Sequence, residues 1–371
     1  MRTKKTHWII PVFIIMIFAP NLIWPLISSR IDTGNYENRD LAAKPEFSLD
    51  SVSNLPDEIE DYYDDNLPFR NQLIELSSAI KYYCFNSSPS DRVVAGKDGW
   101  LFYADEDDGD PISCYKGTNL LTDEQLNTIS SNLLAARDDL ASRGIDFVVF
   151  IAPDKERVYS NEMPDYYGEP ADSYAVQQIV NYLHENTDLN VVYPVDEIIS
   201  AADSLGDKGI LYHKTDTHWN ELGAYVGAKV LLDSLNVSLP ALNDSSITIN
   251  ESEDEAGDLA GIMGLHSWIE PGKTYIPTGF DKHDLVEDEW DFYNEYSFHA
   301  SNADPRKIFI HRDSFCTAMA ETIGSQFDES IMVYNQAYTR DKISEEKPDI
   351  YVFETVERYA VRNMSDVELV Y

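Results

Sequence analysis

The sequence predicts a layered α/β/α fold, in which helices cover both faces of a mostly parallel sheet. One observation is the run IDFVVFIAP from Ile145, whose continuous apolar and β-branched residues are typical of a strand buried on both faces. A second is that helical patterns alternate with such strands along the chain. The third is that 371 residues with 43% hydrophobic side chains suffice for one large α/β unit with insertions.

Helices and a short turn structure are predicted before the first buried strand. Apolar residues recur every three or four positions across residues 59–83, which predicts two helices that break near Leu67 and Pro68. The segment GKDGWLFYADED then indicates a hairpin or short strand, because aromatic and apolar residues follow a glycine-bearing turn. Residues 122–144 predict a helix, since Thr122 is a good N-cap, acidic residues fill the first turn and Gly144 ends the pattern.

The second half of the chain continues the alternation and then interrupts it. A helix is predicted over about residues 173–184, a strand over residues 189–195 and another helix after Trp219. The later strands are expected in RKIFIHRDSF, ESIMVYN and PDIYVFETV. Residues 238–302 break this rhythm with short aromatic runs and an acidic string, which predicts an irregular or β-rich insertion beside the sheet.

The amino terminus has the pattern of a membrane anchor. Residues 8–27 carry no charged side chain, which is about the length of one bilayer-spanning helix. Arg2, Lys4 and Lys5 precede it, so the amino terminus is expected in the cytoplasm and the remaining chain outside it. A cleaved signal peptide, which would release a secreted protein, is the alternative. The predicted organisation is an anchor at residues 1–30, a linker at 31–55 and an exported domain at 56–371.

Charge and cysteine content limit the function. The 66 acidic and 28 basic residues give a formal net charge of -38, which repels nucleic acids and anionic lipid headgroups. Cys84 and Cys114 can form a disulfide in an oxidising compartment, or all three cysteines, with Cys316, can be free thiols. No CxxC pair or regular Cys/His array is present, which argues against a structural zinc site.

Two short segments carry the residue types of nucleophilic catalysis. Ser314, in HRDSFCTAM, directly follows a predicted strand, where open α/β sheets place their ligands. Asp216 and His218 lie two positions apart in ILYHKTDTHWNE, so in extended backbone they point to the same face. Asp216 can then orient the imidazole of His218, which serves as the base for Ser314. The alternative is structural, with Asp216 capping the helix after Trp219 and an ordinary cap at Ser314.

Two other classes of function stay open at this level. His213, Asp216 and His218 can ligate a divalent metal, although Lys214 opposes a cation and no further ligand cluster stands out. We therefore expect no metal and no cofactor. The chain can also be a non-catalytic envelope protein that binds glycan or scaffolds a complex in the same cleft.

The chain resembles the DHHW proteins and the related SGNH-hydrolase-like alginate O-acetyltransferases. The resemblance lies in DTHW at residues 216–219, followed by NELGAY, and in DSF at residues 313–315. It extends from about residue 37 to the end through ENRDLAAKPEFS, DEIEDYYDDNLPFR, GKDGWLFY, IAPDKERVYSNEMP, GDLAGIMG and ETVERY. Thr217 replaces the first histidine of DHHW, as in the acetyltransferases, and Arg312 stands where a glycine often precedes DSF.

The resemblance implies an SGNH-like sheet and an extracytoplasmic O-acetyltransferase that acts on an envelope or secreted polysaccharide. Ser314 would be the nucleophile of an acetyl-serine intermediate, His218 the general base and Asp216 its orienter. If water takes the acetyl group, the same site is an acetylesterase. The resemblance also implies a membrane-bound O-acyltransferase as the partner that delivers acetyl groups.

The remaining contacts of this predicted site are less constrained by the sequence. The backbone N–H of Ser314 is the first expected oxyanion donor and Arg312 the second. Tyr212 and Trp219 are candidates for substrate contact. With Trp268 and Trp290 they are also candidates for stacking on sugar rings, although each also suits a core or cleft wall.

Overall fold

The computed structural model describes residues 8–31, 42–45, 54–85, 87–206 and 209–366. The chain forms two compact units, Met1–Pro89 and Ser90–Tyr371. Most of the predicted linker at residues 31–55 and the basic residues before Trp8 lie outside the described residues.

The first unit contains the apolar helix α1 (Ile9–Ile27) and the helices α2 (Leu55–Asp65) and α3 (Arg70–Ala79). The span Ile9–Arg30 has a mean hydropathy of 2.2, and no residue of α1 is buried. This helix is therefore long and apolar enough to cross a membrane. Helices α2 and α3 are separated at Phe69, which adopts a left-handed backbone with φ of 62°, next to the predicted break at Pro68.

The second unit is built on a seven-stranded sheet. Its strands in chain order are β3 (Asp146–Ala152), β4 (Asn190–Val192), β7 (Val286–Trp290), β8 (Glu295–His299), β9 (Asp304–Arg312), β10 (Phe327–Tyr334) and β11 (Ile350–Val356). Their spatial order is β4-β3-β11-β9-β10-β8-β7. The first five are parallel, and β8 and β7 extend the edge in antiparallel pairing. Two hairpin-like pairs lie outside this sheet: β1 (Val93–Ala95) with β2 (Leu101–Tyr103), and β5 (Thr248–Glu253) with β6 (Lys273–Thr278).

Helices complete the layers of this unit. They are α4 (Pro111–Lys116), α5 (Asp123–Ser142), α6 (Lys155–Val158), α7 (Ala175–Asn186), α8 (Val195–Leu205), α9 (Glu221–Ser234), α10 (Asp258–Ile262), α11 (Ala320–Gly324), α12 (Arg340–Glu346) and α13 (Glu357–Ser365). Alternate residues of β3 belong to different buried clusters, because successive side chains of a strand point to opposite faces. Val148 and Phe150 pack with residues of α9, whereas Phe147 and Val149 pack with residues of α5 and α7. The predicted three-layer α/β/α architecture is therefore confirmed.

Some elements differ from the predicted pattern. The strand predicted over residues 189–195 is only three residues long, because Pro194 caps α8, a helix that we did not predict. Residues 238–302 contain the β5–β6 pair, α10 and the antiparallel strands β7 and β8. The three cysteines are free thiols, so the structure contains no disulfide between Cys84 and Cys114.

Candidate active site

Ser314 lies just beyond the carboxyl end of β9, which is flanked by β11 and β10 in the parallel part of the sheet. It is the N-cap residue of a short 3-10 helix, Phe315–Met319. Parallel strands gather the loops that follow them at one edge of the sheet, where ligands of open α/β folds bind. Ser314 is therefore placed at the edge where chemistry is expected.

Asp313 fixes the turn that carries this serine. Its carboxylate accepts hydrogen bonds from the backbone N–H of Phe315 at 2.8 Å and of Val356 at 2.7 Å. Its own N–H donates to the buried carboxyl group of Glu354 at 2.7 Å. Burial, with the nearby charge of Asp313, raises the pKa of Glu354 well above its usual range. Because Asp313 supplies the cap, the hydroxyl of Ser314 is left to contact another group.

His218 contacts both partners expected from the sequence. Its Nδ1 lies 2.6 Å from Oδ1 of Asp216, and its Nε2 lies 2.8 Å from Oγ of Ser314. With the imidazole proton on Nδ1, His218 donates to Asp216 and accepts from the hydroxyl of Ser314. The three side chains thus form a hydrogen-bonded relay.

Asp216 is held as a carboxylate. Its burial raises the pKa, but hydrogen bonds from the His218 ring and from the backbone N–H groups of Asp258 and His218 outweigh burial, so the pKa lies below its usual range. The backbone N–H of Asp258 reaches Oδ2 at 2.9 Å. An ionised Asp216 keeps the His218 proton on Nδ1 and leaves Nε2 free to accept.

The loop that carries Asp216 and His218 closes on itself before α9. Tyr212 and Trp219 form an antiparallel bridge at its base, and the N–H of His213 donates to the carbonyl of His218 at 3.2 Å. The side chain of Asn220 accepts from the first-turn amides of α9. The capping role that we considered for Asp216 therefore belongs to Asn220.

The relay faces a cleft with a volume of about 740 Å³. Asp216, His218 and Ser314 line it together with Trp219 and Phe315. The ring of Phe315 lies 4.7 Å from the imidazole of His218, centroid to centroid, and restricts its orientation. The cleft is large enough to hold a short stretch of a polymer beside the serine.

Lys155 supports this loop through its backbone carbonyls, a role that we did not predict from the sequence. Its ammonium group donates to the carbonyls of His213 at 3.1 Å, Lys214 at 3.3 Å and Asp216 at 2.5 Å. The residue is 1% exposed. Burial lowers its pKa to about 8, although nearby carboxylates favour the charged form. The segment APDKERV was noted only as part of the family resemblance.

Asp258 is a second residue near the relay that we did not predict from the sequence. Its carboxylate accepts from the backbone N–H of Thr217 at 2.8 Å and from its hydroxyl at 2.7 Å. The preceding Gly257 has no room for a side chain, since a Cβ there would lie 2.4 Å from Cβ of Asp216. The segment GDLAGIMG, also noted as part of the resemblance, therefore packs directly against the loop of Asp216.

The secondary candidates occupy different places. Arg312 is fully buried: it donates to the carbonyl of Phe292 at 2.8 Å and its guanidinium lies 3.9 Å from the ring centroid of Tyr296. Tyr212 is fully buried and donates to the carbonyl of Pro153 at 2.6 Å. Trp219 is 1% exposed and donates to the carbonyl of Phe315 at 2.8 Å. These contacts give the three residues packing roles and do not support Arg312 as an oxyanion donor.

The residues that could hold a metal ion in the structure differ from the set considered from the sequence, because Asp258 takes the place of His213. His213 pairs with Asp254, its Nδ1 lying 2.8 Å from Oδ2. Asp216, His218 and Asp258 each offer an atom, all within 4.8 Å of one another. Nδ1 of His218 is 4.0 Å from Asp258 but only 2.6 Å from Asp216. That spacing fits a direct hydrogen bond better than a shared ion.

A three-layer α/β/α unit with a serine at a strand end and a preceding Asp-x-His segment is an SGNH-hydrolase-like protein. The family described as "SGNH hydrolase-like domain, acetyltransferase AlgX" matches residues 93–284, just over half of the chain. This chain belongs to that family. Asp216 and His218 lie inside the matched range and Ser314 lies beyond it, so the assignment of the serine depends on geometry.

The chain is also similar to curated proteins that are named as probable alginate O-acetylases. The chain is 27% identical over 210 residues to the "Probable alginate O-acetylase AlgJ" of Pseudomonas putida, a match that covers 56% of this chain and 50% of the relative. The protein of the same name from Pseudomonas aeruginosa is 26% identical over 212 residues, with 56% and 49% covered. The chain spans about half the length of the curated relatives it matches.

Solved structures show the same fold. Bacillus cereus PatB1 aligns with a TM-score of 0.53 and 15% identity, covering 75% of this chain and 100% of PatB1. A DHHW family protein from Eubacterium siraeum aligns with a TM-score of 0.53 and 16% identity, covering 74% and 97%. The resemblance to DHHW proteins is therefore confirmed at the level of the fold.

Proposed function

We propose that this protein is an extracytoplasmic O-acetyltransferase that modifies an envelope or secreted polysaccharide through an acetyl-serine intermediate. The observation that carries the proposal is the hydrogen-bonded relay from Asp216 through His218 to Ser314, with spacings of 2.6 Å and 2.8 Å. Membership of an acetyltransferase family and relatives named alginate O-acetylase support the reaction class.

In the first half-reaction Oγ of Ser314 attacks the carbonyl carbon of an acetyl donor while Nε2 of His218 takes the hydroxyl proton. The tetrahedral intermediate collapses, the donor oxygen leaves with the proton from His218, and the acetyl group stays on Ser314. Asp216 stabilises the imidazolium that forms in between. The backbone N–H of Ser314 is our proposed donor to the oxyanion.

In the second half-reaction a sugar hydroxyl attacks acetyl-Ser314. Nε2 of His218 takes the hydroxyl proton and returns it to Oγ of Ser314 as the new ester leaves. Water in place of the sugar gives hydrolysis, so exclusion of water by a glycan in the cleft favours transfer over esterase activity.

The apolar helix of the first unit supports the proposed location. Helix α1 would anchor the chain in the membrane with the second unit outside the cytoplasm. There the protein would take acetyl groups delivered by a membrane-bound O-acyltransferase, the partner that the family resemblance implies.

Acetylation of the intact chain in detergent by p-nitrophenyl acetate tests the proposal. We expect intact-mass analysis to show one added acetyl group on the wild type and none on Ser314→Ala. Cys316→Ala is the matched control, because its thiol is the neighbouring alternative nucleophile and is buried. It should be acetylated like the wild type, since burial raises the pKa of the Cys316 thiol well above its usual range and keeps it protonated.

Either of two results would contradict the proposal. An acetyl group that persists on Ser314→Ala would assign the nucleophile elsewhere. A wild type that forms no acetyl-enzyme and releases no p-nitrophenol would favour the non-catalytic glycan-binding alternative.

A further inference from the structure

We infer that the glycan accepted by this cleft is uncharged, and that the cleft rejects polyuronates such as the alginate in the names of its relatives. The inference rests on the proposed function in that it takes the cleft beside Ser314 to receive a glycan. It is carried by the charges and the aromatic surfaces that line the cleft.

Carboxylates dominate the charged side chains in the described lining of the cleft. They belong to Asp216, Glu221, Asp254, Glu255 and Glu321. Among the described lining residues there is no arginine, and Lys282 is the single lysine. Protein sites that recognise carboxylates use arginine or lysine as charged donors, and Lys282 is the one such donor that this lining offers a uronate chain.

The cations that the lining does contain are already paired. Nζ of Lys282 lies 2.9 Å from a carboxylate oxygen of Glu321. Nδ1 of His213 lies 2.8 Å from Asp254. In the described part of the chain no salt bridge is formed to Glu221 or Glu255, and the cation that attracts Glu221 is His213, which is already paired with Asp254. A uronate entering the cleft would therefore meet uncompensated negative charge, in a chain whose formal net charge is -38.

The same cleft presents aromatic surface suited to a neutral sugar. Trp290 and Phe292 line it and are 42% and 37% exposed. The indole of Trp290 stacks on the ring of Tyr296 at 4.0 Å with an interplanar angle of 16°. Tyr296 is fully buried and has the guanidinium of Arg312 at 3.9 Å. This stack holds Trp290 in a fixed orientation, and a rigid exposed ring is an inexpensive platform for the apolar face of a sugar.

Matched oligosaccharides that differ only in oxidation at carbon 6 test the inference. Cellohexaose is compared with its hexaglucuronate, and mannohexaose with hexamannuronate, by titration calorimetry on the full-length Ser314→Ala protein in detergent. EDTA is present so that no divalent ion bridges two carboxylates. We expect at least one neutral hexamer to bind, and to bind about tenfold or more tightly than its acidic partner at about 0.01 M salt. The difference should narrow at about 1 M salt as charges are screened.

Variants separate the two contributions. Trp290→Ala should weaken the neutral hexamer about tenfold, whereas Trp268→Ala, similarly exposed at 45% but outside the cleft lining, should bind it like the parent. Glu255→Lys should strengthen binding of the acidic hexamer. Equal or tighter binding of the acidic hexamers at low salt would overturn the inference, as would failure of both neutral hexamers to bind.

These results are independent of acetyl transfer, because binding is measured on a protein without the serine hydroxyl. If the neutral hexamer binds and the wild type forms no acetyl-enzyme, the proposed reaction fails and the glycan preference stands. If the acetyl-enzyme forms and the acidic hexamers bind best, the reaction stands and the preference is wrong.

Discussion

Asp216 and Asp258 both approach His218, and their geometry predicts unequal effects when each is changed. Asp216 lies 2.6 Å from Nδ1 of His218, whereas Asp258 lies 4.0 Å away and binds Thr217. We expect Asp216→Asn to slow acetylation of Ser314 by about 10³–10⁴-fold, because the amide no longer fixes the productive tautomer. Asp258→Asn should cost about tenfold or less, since it removes an indirect support.

Stopped-flow release of p-nitrophenol in a single turnover measures both variants under the same conditions. An equal loss in Asp258→Asn would show that the two carboxylates share the orienting role.

Lys155 is a positioning residue, because it touches the backbone of the loop and not the reacting atoms. Lys155→Met should remove the donor shared by the carbonyls of His213, Lys214 and Asp216 and let the loop shift. We expect acetylation to fall about 100-fold while the protein stays folded, since a small misplacement of a catalytic group is costly. Lys214→Met is the control, because that side chain is only half-buried and donates to the carbonyl of Asp98 instead of to the loop. Equal losses in both variants would contradict the assignment.

The pH dependence of stability gives a second readout for Lys155. Burial lowers its pKa from 10.5 to about 8. Below about pH 8 the buried ammonium group is charged, and its burial lowers the free energy of unfolding. Between about pH 8 and 10.5 the folded chain loses this proton while the unfolded chain still holds it, so the cost of burial is relieved. Between these values the free energy of unfolding of the wild type should rise relative to that of Lys155→Met. Denaturant unfolding of both proteins measures the difference, and a constant difference would contradict the buried ammonium.

At the scale of residues, the sequence predicted those that stand in a short recognisable motif. Asp216 and His218 are two positions apart, and Ser314 follows a recognisable strand, so the α/β pattern suggested their grouping and the family resemblance assigned their roles. Lys155 was not predicted because its partners are backbone carbonyls about sixty residues away, which carry no sequence signal. We considered Arg312 as an oxyanion donor because the sequence shows that it is close to Ser314. The sequence does not show its contacts with Phe292 and Tyr296, which only the fold creates.

The packing between loops predicts how sensitive the site is to added volume. Gly257 precedes α10, and a Cβ there would lie 2.4 Å from Cβ of Asp216 and 2.6 Å from the carbonyl oxygen of Thr215. Gly257→Ala must therefore displace the loop, and we expect at least a tenfold slower acetylation of Ser314. Gly261→Ala, in the same helix, meets no atom within 4 Å and should react like the wild type. Acetylation time courses of the two variants decide this, and equal rates would contradict the close approach.

At the scale of elements, prediction succeeded where the hydrophobic pattern was long and failed where it was short. Strand β3 has six buried residues in succession and was predicted within one residue of its bounds. Strand β4 has only three residues, and only Tyr193 and Pro194 separate it from α8, so the apolar run across their junction was assigned to one strand. Strand β7 is exposed along its length, which leaves no alternation of apolar and polar residues to indicate a sheet edge.

At the scale of the whole molecule, the apolar helix α1 predicts where the protein resides. The span Ile9–Arg30 has a mean hydropathy of 2.2, and its most apolar stretch contains no buried residue. We expect the full chain to remain in the membrane fraction after alkaline carbonate washing and to keep residues 1–30 by intact mass. A double change, Ile14→Lys with Ile17→Lys, should release it, because each charge near the helix centre costs about 2.5–3.5 kcal/mol on insertion. The double change to leucine at the same positions should stay bound. A soluble wild type whose mass lacks this segment would instead establish the cleaved signal peptide, and the second unit would then act as a secreted protein.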